Sequence, residues 1–222
     1  MARGSGGDRR RADRPAMRRV FLLSPANASG LRAAMLVRPA AQFDLAVELR
    51  SERGAPLGDV FQFMSGLYFR GKLAYARAFA RPPRGVGGAL VIVPGRGLVS
   101  ADERVRAADL AAFAAVPIDS RDERYTGPLR EAADRVASLL GPTGEAVLLG
   151  SIATGKYADV LLAALGARLS FPPAFVGRGD MSRGGLMLRS VRAGMELEYA
   201  PVAGAVRHGP RPPRLPRLPR LT

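Results

Sequence analysis

Apolar positions along the chain follow two rhythms, short unbroken runs and stripes at helical spacing, and their alternation sets the expected fold class. "VFLL" at Val20–Leu23, "ALVIV" at Ala89–Val93 and "EAVLLG" over 145–150 are compact apolar runs, each leading into Ser, Pro or Gly. Runs of that length with turn residues behind them predict buried strands that deliver into polar loops.

Between the runs the spacing is helical. Over 31–52, Leu31, Met35, Leu36, Phe43, Leu45, Ala46 and Leu49 form a stripe that Pro39 divides in two. Over 55–83, Val60, Met64, Leu67, Gly71 and Ala74 share one face of a long helix, interrupted near Gly66 and stopped by Pro82 and Pro83. A short helix is predicted over 106–115. Another over 126–142 places Pro128 in its first turn and Leu129, Ala132, Val136 and Leu139 on one face, with Gly141 and Pro142 ending it. A last one, capped by Thr154, carries Tyr157, Val160, Leu161 and Ala164 inward before Gly166. Strand and helix alternating three times predict an α/β fold, a small Rossmann-like three-layer domain with a mainly parallel sheet. The final third changes character. "GGLMLRSV" and "MELEYAPV" flank the turn Arg192-Ala193-Gly194 and predict a C-terminal β-hairpin.

Charge refines the domain picture. The formal net charge is +15, a nucleic-acid signature until it is divided along the chain. Residues 1–19 hold seven arginines and two aspartates, and residues 205–222 hold five arginines and no acid, so each end carries +5 and the 185 residues between them only +5. The expected organisation is a disordered basic arm over 1–17, one α/β domain over 18–204 and an Arg/Pro-rich tail over 205–222, disordered or in polyproline II. "MRRVFLL" at Met17 reads as a natural start. The period of three in "RPPRLPRLPR" matches polyproline II, which would align Arg211, Arg214, Arg217 and Arg220 in a stripe with a roughly 9 Å repeat. Polyanion affinity is therefore expected in the tails.

Composition removes whole classes of chemistry. The chain has no cysteine, which excludes thiolate nucleophiles, Cys-ligated zinc and iron–sulfur clusters. Its one histidine, His208, lies in the tail, which removes a Ser-His-Asp triad or a His-rich metal site from the core. Any catalyst must use carboxylates, Tyr, Ser or Thr, Lys or Arg, and neither a cofactor nor a metal is expected. No apolar run reaches transmembrane length and no secretory leader is legible, so the expectation is a cytoplasmic protein away from the membrane. Of 34 basic residues only Lys72 and Lys156 are lysine, leaving 32 arginines. Both follow a glycine, a hint that a compact ammonium matters at those places.

Two motifs carry candidate chemistry. "GSIATGKY" has the spacing of a phosphate-binding loop from Gly150 to Lys156, but Tyr157 stands where a small hydroxyl should hold magnesium. The only acid available for the metal at another strand end is Asp119 in "AVPID". The loop is thus read either as a magnesium-free anion grip or as a plain helix start. At the carboxyl ends of the three strands the loops offer Ser24, Asn27 and Ser29, then Arg96, then Ser151, Thr154 and Lys156, a set suited to a phosphate or carboxylate. The second motif, "FVGRGDMSRGGLMLR", threads Arg178, Asp180, Ser182 and Arg183 among glycines. Asp180 is the candidate catalytic or base-reading acid, with Arg178 and Arg183 as flanking cations, and Glu198 a second acid/base candidate if its face lines the cleft. Arg70, Lys72 and Tyr75 form a third cluster that either reaches a ligand or decorates a solvated helix face.

Three short stretches support a resemblance. "FLLSPAN" at Phe21–Asn27 resembles the opening strand of the YaaA peroxide-stress family, with Asn27 in place of that family's lysine, and "MSGLY" at Met64–Tyr68 and "GRGDMSR" resemble later segments of it. "YFRGKLAYARAFA" with "ALVIVPGRGLVSADE" is similar to a pattern of bacterial and phage α/β domains. The resemblance implies a cytoplasmic protein with DNA-binding or nucleobase-related behaviour and no obligatory metal. Taken with the loops, it leads to an α/β protein that binds a nucleotide, a nucleoside or a nucleic-acid-borne base. Glycosidic-bond chemistry by carboxylates would suit its residue inventory. The alternatives are a non-catalytic nucleic-acid-binding protein and a P-loop-like NTPase.

Overall fold

The computed structural model describes residues 17–216. In chain order the elements are β1 (Arg19–Leu23), α1 (Leu31–Val37), α2 (Asp44–Arg50), β2 (Ala55–Pro56), α3 (Leu57–Ser65), α4 (Leu67–Phe79), β3 (Ala89–Val93), β4 (Gly97–Ser100), β5 (Arg104–Val105), α5 (Ala107–Ala114), α6 (Glu123–Leu140), β6 (Glu145–Leu149), α7 (Ala158–Leu165), β7 (Leu169–Phe171), α8 (Asp180–Ala193) and β8 (Ala200–Pro201). Six strands form one sheet in the order β4-β3-β1-β6-β7-β8, while β2 and β5 pair separately. β3, β1, β6 and β7 run parallel, and the edge strands β4 and β8 are antiparallel.

The unbroken apolar runs have a simple cause. In β1, Val20 and Leu22 point to one layer while Phe21 and Leu23 point to the other, and all four are fully buried. A parallel strand covered on both faces has no polar side. On one face the strands pack against Tyr125, Leu129, Ala133 and Val136 of α6 and Leu161 and Leu165 of α7. On the other they meet Val60 and Phe61 of α3, Phe69, Leu73 and Tyr75 of α4 and Met187 of α8. The molecule is thus a Rossmann-like three-layer α/β domain.

Several local expectations change. Of the predicted C-terminal hairpin the first strand is instead the helix α8, while the second contains β8, which extends the sheet by pairing with β7; the hairpin of the fold is β3–β4, paired from Leu90↔Ser100 to Val93↔Gly97. The reason lies in the glycines of "SRGGLM". A Cβ on Gly184 would lie 2.8 Å from Leu67 O and 2.9 Å from Tyr68 Cα, and one on Gly71 would lie 2.7 Å from Gly184 O. These glycines let α4 and α8 touch backbone to backbone; they do not open a turn. The long predicted helix is two, α3 and α4, divided at Gly66, whose φ of 63° belongs to the left-handed half of the map. α6 starts before Pro128, with the Asp122 carboxylate accepting from the Arg124 N–H as its cap, and it buries Leu140 while Leu139 is exposed. Thr154 caps nothing. α7 begins only at Ala158, with Tyr157 at the cap position.

Of the predicted terminal segments, residues 1–16 and the arginines Arg217 and Arg220 lie outside the described residues. Residues 206–216 form neither helix nor strand and run against α8 and the loop before it. Arg178 donates to Pro213 O at 3.3 Å, Arg189 donates to Pro216 O, and Arg207 pairs with Asp159 at 2.5 Å. No helix among the described residues is long and apolar enough to cross a membrane.

Candidate functional site

The chain leaves β1, reaches β3 on one side of it, and later returns through β6 on the other side. The loops after β1 and β6 therefore diverge, and the crevice between them is the topological switch point where ligands bind in open α/β sheets. A cavity of about 430 Å³ opens there, within the range of small-molecule sites. It is lined by Ser24, Pro25, Ala26 and Asn27 after β1, Ser151, Lys156 and Tyr157 after β6, Met64, Ser65 and Tyr68 around the α3–α4 junction, Ile118, and Asp180 and Arg183 from α8.

Six of the ten predicted site residues meet in this cleft: Ser24, Asn27, Ser151, Lys156, Asp180 and Arg183. A smaller recess of about 260 Å³ continues toward the end of β3 and shares Ala26, Asn27, Ile118 and Lys156 with it, which puts Lys156 between two hollows. Four predicted residues are elsewhere. Arg96 sits in the β3–β4 turn and pairs with Glu103 at 2.5 Å. Thr154 is exposed and lines neither hollow. Arg178 turns to the tail, bonding Ala174 O, Ser182 Oγ and Pro213 O. Glu198 is exposed and does not join Asp180, so the expected carboxylate pair is not assembled. Its segment lies at the opposite end of β1, where Leu197 N–H donates to Tyr75 Oη at 2.7 Å and Glu196 pairs with Arg19.

The loop with phosphate-binding spacing is closed on itself. Ser151 N–H donates to Tyr157 Oη at 3.0 Å, so the tyrosine fills the space a phosphate oxygen would take in such a loop. Gly150 is needed for this closure, since a Cβ there would lie 2.9 Å from Ser24 Cβ and 3.0 Å from Tyr157 Oη. Asp119 is held by Arg121 at 2.7 Å, a bond that lowers its pKa to about 2. Lys156, exposed on the cleft wall, remains the cation of the loop.

Under the cleft floor lies a residue the sequence reading placed only loosely. Lys72, on α4, is completely buried, which corrects the solvated-face alternative for it, and Tyr75 beside it is buried as well. Its Nζ reaches Ser24 O at 2.6 Å and Ser24 Oγ at 2.9 Å, and stands 4.4 Å from the Tyr68 ring centroid. Burial lowers its pKa to about 7; Asp180 opposes that shift and Arg183 adds to it. Arg70, by contrast, faces a separate open groove beside α1 and α2. Both lysines of the chain thus lie at the cleft, Lys72 buried beneath Ser24 and Lys156 on the wall.

Arg183 fixes the other wall. It is buried, donates to Phe175 O at 3.1 Å and meets the exposed Asp180 carboxylate at 3.3 Å. Tyr68 Oη is buried and has no hydrogen-bond partner among the described residues. Burial raises its pKa, so the phenol keeps its proton and can donate it. A buried donor without a partner is costly unless something else accepts from it.

The site defines a class by geometry alone: a Rossmann-like α/β domain with a cationic, hydroxyl-rich switch-point cleft. Compared with protein-family models, with curated proteins and with solved structures, the chain matches none.

Proposed function

We propose that the switch-point cleft binds a small anionic ligand of the nucleotide or nucleoside-phosphate class. The phosphate would sit against Lys156 with the hydroxyls of Ser24 and Ser151, the hollow on either side of Lys156 taking the rest of the molecule. Met64, Ile118 and the apolar body of Tyr68 offer a wall for a base or sugar, and the Asp180 carboxylate offers an acceptor. Such a mixture of apolar wall and few convergent polar groups is what small-ligand sites share. The observation that carries the reading is the convergence of Lys156 and Arg183 on one switch-point cavity whose lining holds a single carboxylate, Asp180. The resemblance of "FLLSPAN" and "MSGLY" to a nucleobase-related family agrees with it, because both stretches line this cleft.

A thermal-shift series on the full chain tests the proposal, using nucleoside mono- and diphosphates, nucleosides and inorganic phosphate. A ligand at 100 times its Kd stabilises the fold by about 2.7 kcal/mol. The expected result is a rise in Tm with the phosphorylated compounds that Lys156→Ala reduces, while the variant alone melts within a degree or two of the wild type. No shift with any of these compounds overturns the reading.

A further inference from the structure

Ser24 and Lys72 make an arrangement that ligand binding alone does not require. Lys72 is fully buried yet forms no ion pair among the described residues; the charged groups facing it are Asp180 and Arg183, both on α8, and the phenol against it is Tyr68, whose ring centroid lies 4.4 Å from Nζ. Its close polar partners among the described residues are both on Ser24, the carbonyl oxygen at 2.6 Å and the hydroxyl at 2.9 Å. Ser24, itself largely buried, is in turn among the residues that line the cleft.

We propose that Ser24 is a nucleophile and Lys72 its general base, and that the cleft carries out serine-dependent acyl transfer on a carboxylic ester whose anionic group Lys156 holds. A buried lysine readily loses its proton and is then a general base. With a pKa lowered to about 7, a large share of Lys72 is free amine at neutral pH. A free amine has two N–H donors and one lone pair. Lys72 Nζ donates to Ser24 O at 2.6 Å and to Ser24 Oγ at 2.9 Å; once the amine is neutral, one N–H keeps the carbonyl and the lone pair can take the Ser24 Oγ proton across the second contact. This is the geometry of an activated hydroxyl.

The chemistry balances with water as the only second reactant. Ser24 Oγ bonds to the ester carbonyl carbon while its proton moves to Lys72 Nζ. The bond to the alcohol oxygen then breaks, and Lys72 returns the proton to that oxygen. Water attacks the acyl-serine carbonyl and gives its proton to Lys72, the Oγ–C bond breaks, and Ser24 recovers its proton. Ester and water become acid and alcohol. Tyr157 Oη accepts from Ser151 N–H, and burial raises its pKa, so its own proton stays in place to face the carbonyl oxygen as negative charge develops. The proposal needs the cleft and the charge of Lys156 but no nucleotide, so it stands or falls separately from the function proposed above.

A fluorophosphonate is the direct probe: its phosphorus bonds Ser24 Oγ as fluoride leaves. The full chain is incubated with it from pH 6 to 9, and the adduct is located by intact mass and peptide mapping. The expected result is one adduct, on Ser24, formed at a rate that rises through about pH 7 with the deprotonation of Lys72 and then levels. Ser24→Ala should abolish the adduct. Lys72→Met should slow labelling on the order of 100-fold or more, the usual contribution of a general base. Because the wild-type pH profile depends on no variant, misfolding of Lys72→Met leaves the test intact. No adduct on Ser24, or labelling of Ser24 at a rate flat across pH 6 to 9, overturns the proposal.

Discussion

The two ends of β1 each bury a cation, and they treat it in opposite ways. At the start, Arg19 is closed into a network: its Nε meets Glu145 at 2.7 Å, its Nη1 meets Glu196, and its guanidinium lies 4.7 Å from the Tyr199 ring centroid. Glu196 also pairs with Arg81 at 2.8 Å, and Glu145 accepts from Ser170 Oγ at 2.6 Å. At the finish, Lys72 has, among the described residues, only the oxygens of Ser24 for close polar partners, with the rings of Tyr68 and Phe69 beside it. Satisfied buried charges hold an arrangement in place, whereas a buried amine without a carboxylate gives up its proton easily. The sheet is closed by ion pairs at its amino end, and its cleft is at its carboxyl end, where the loops part.

Breaking the closed end should produce the largest effect. Arg19→Met leaves Glu145 and Glu196 half-buried without their shared cation and should cost about 3–5 kcal/mol in urea unfolding. A loss under about 1 kcal/mol would show that the network is solvated and remove the contrast. At the open end the effect should depend on pH. The folded pKa of Lys72, about 7, lies below its ordinary 10.5. Between those values the unfolded chain holds a proton that the folded chain does not, so stability rises with pH by about 1.4 kcal/mol per unit. Lys72→Met removes that slope. The stability difference between wild type and variant should therefore move in favour of the wild type from pH 7 to 9, and parallel curves would mean Lys72 stays charged. The smallest effect should come from Tyr157→Phe, which takes the acceptor from Ser151 N–H and should cost about 1 kcal/mol. An unchanged midpoint would show that water replaces the phenol there.

The strands were legible because burial on both faces writes itself into consecutive residues; Ala89–Val93 is a strand from end to end. β4 was not, since "GLVS" is a short edge strand behind a Pro/Gly turn and carries only two buried positions. α8 failed as a helix in the sequence because its paired glycines weaken helix propensity, and the one that matters, Gly184, is there to face Gly71 and the backbone of α4. The site was legible by residue type and strand end in the cases of Ser24, Ser151 and Lys156. Arg96 and Thr154 were taken by the same logic and fail, because the end of a strand sets where a loop begins and not which way each side chain turns.

The sequence by itself determined the α/β class, the buried central strands and the restricted chemistry of a chain with no cysteine and one histidine. It also marked two lysines among 34 basic residues without saying that they belong together. Only the tertiary structure decided that. Residues 24, 72, 156 and 183 are far apart in the chain, and they meet because β6 lies beside β1 and two glycines let α8 press onto α4. Local patterns record which neighbours a residue has along an element, whereas proximity across elements, and with it the protonation of Lys72, follows from packing.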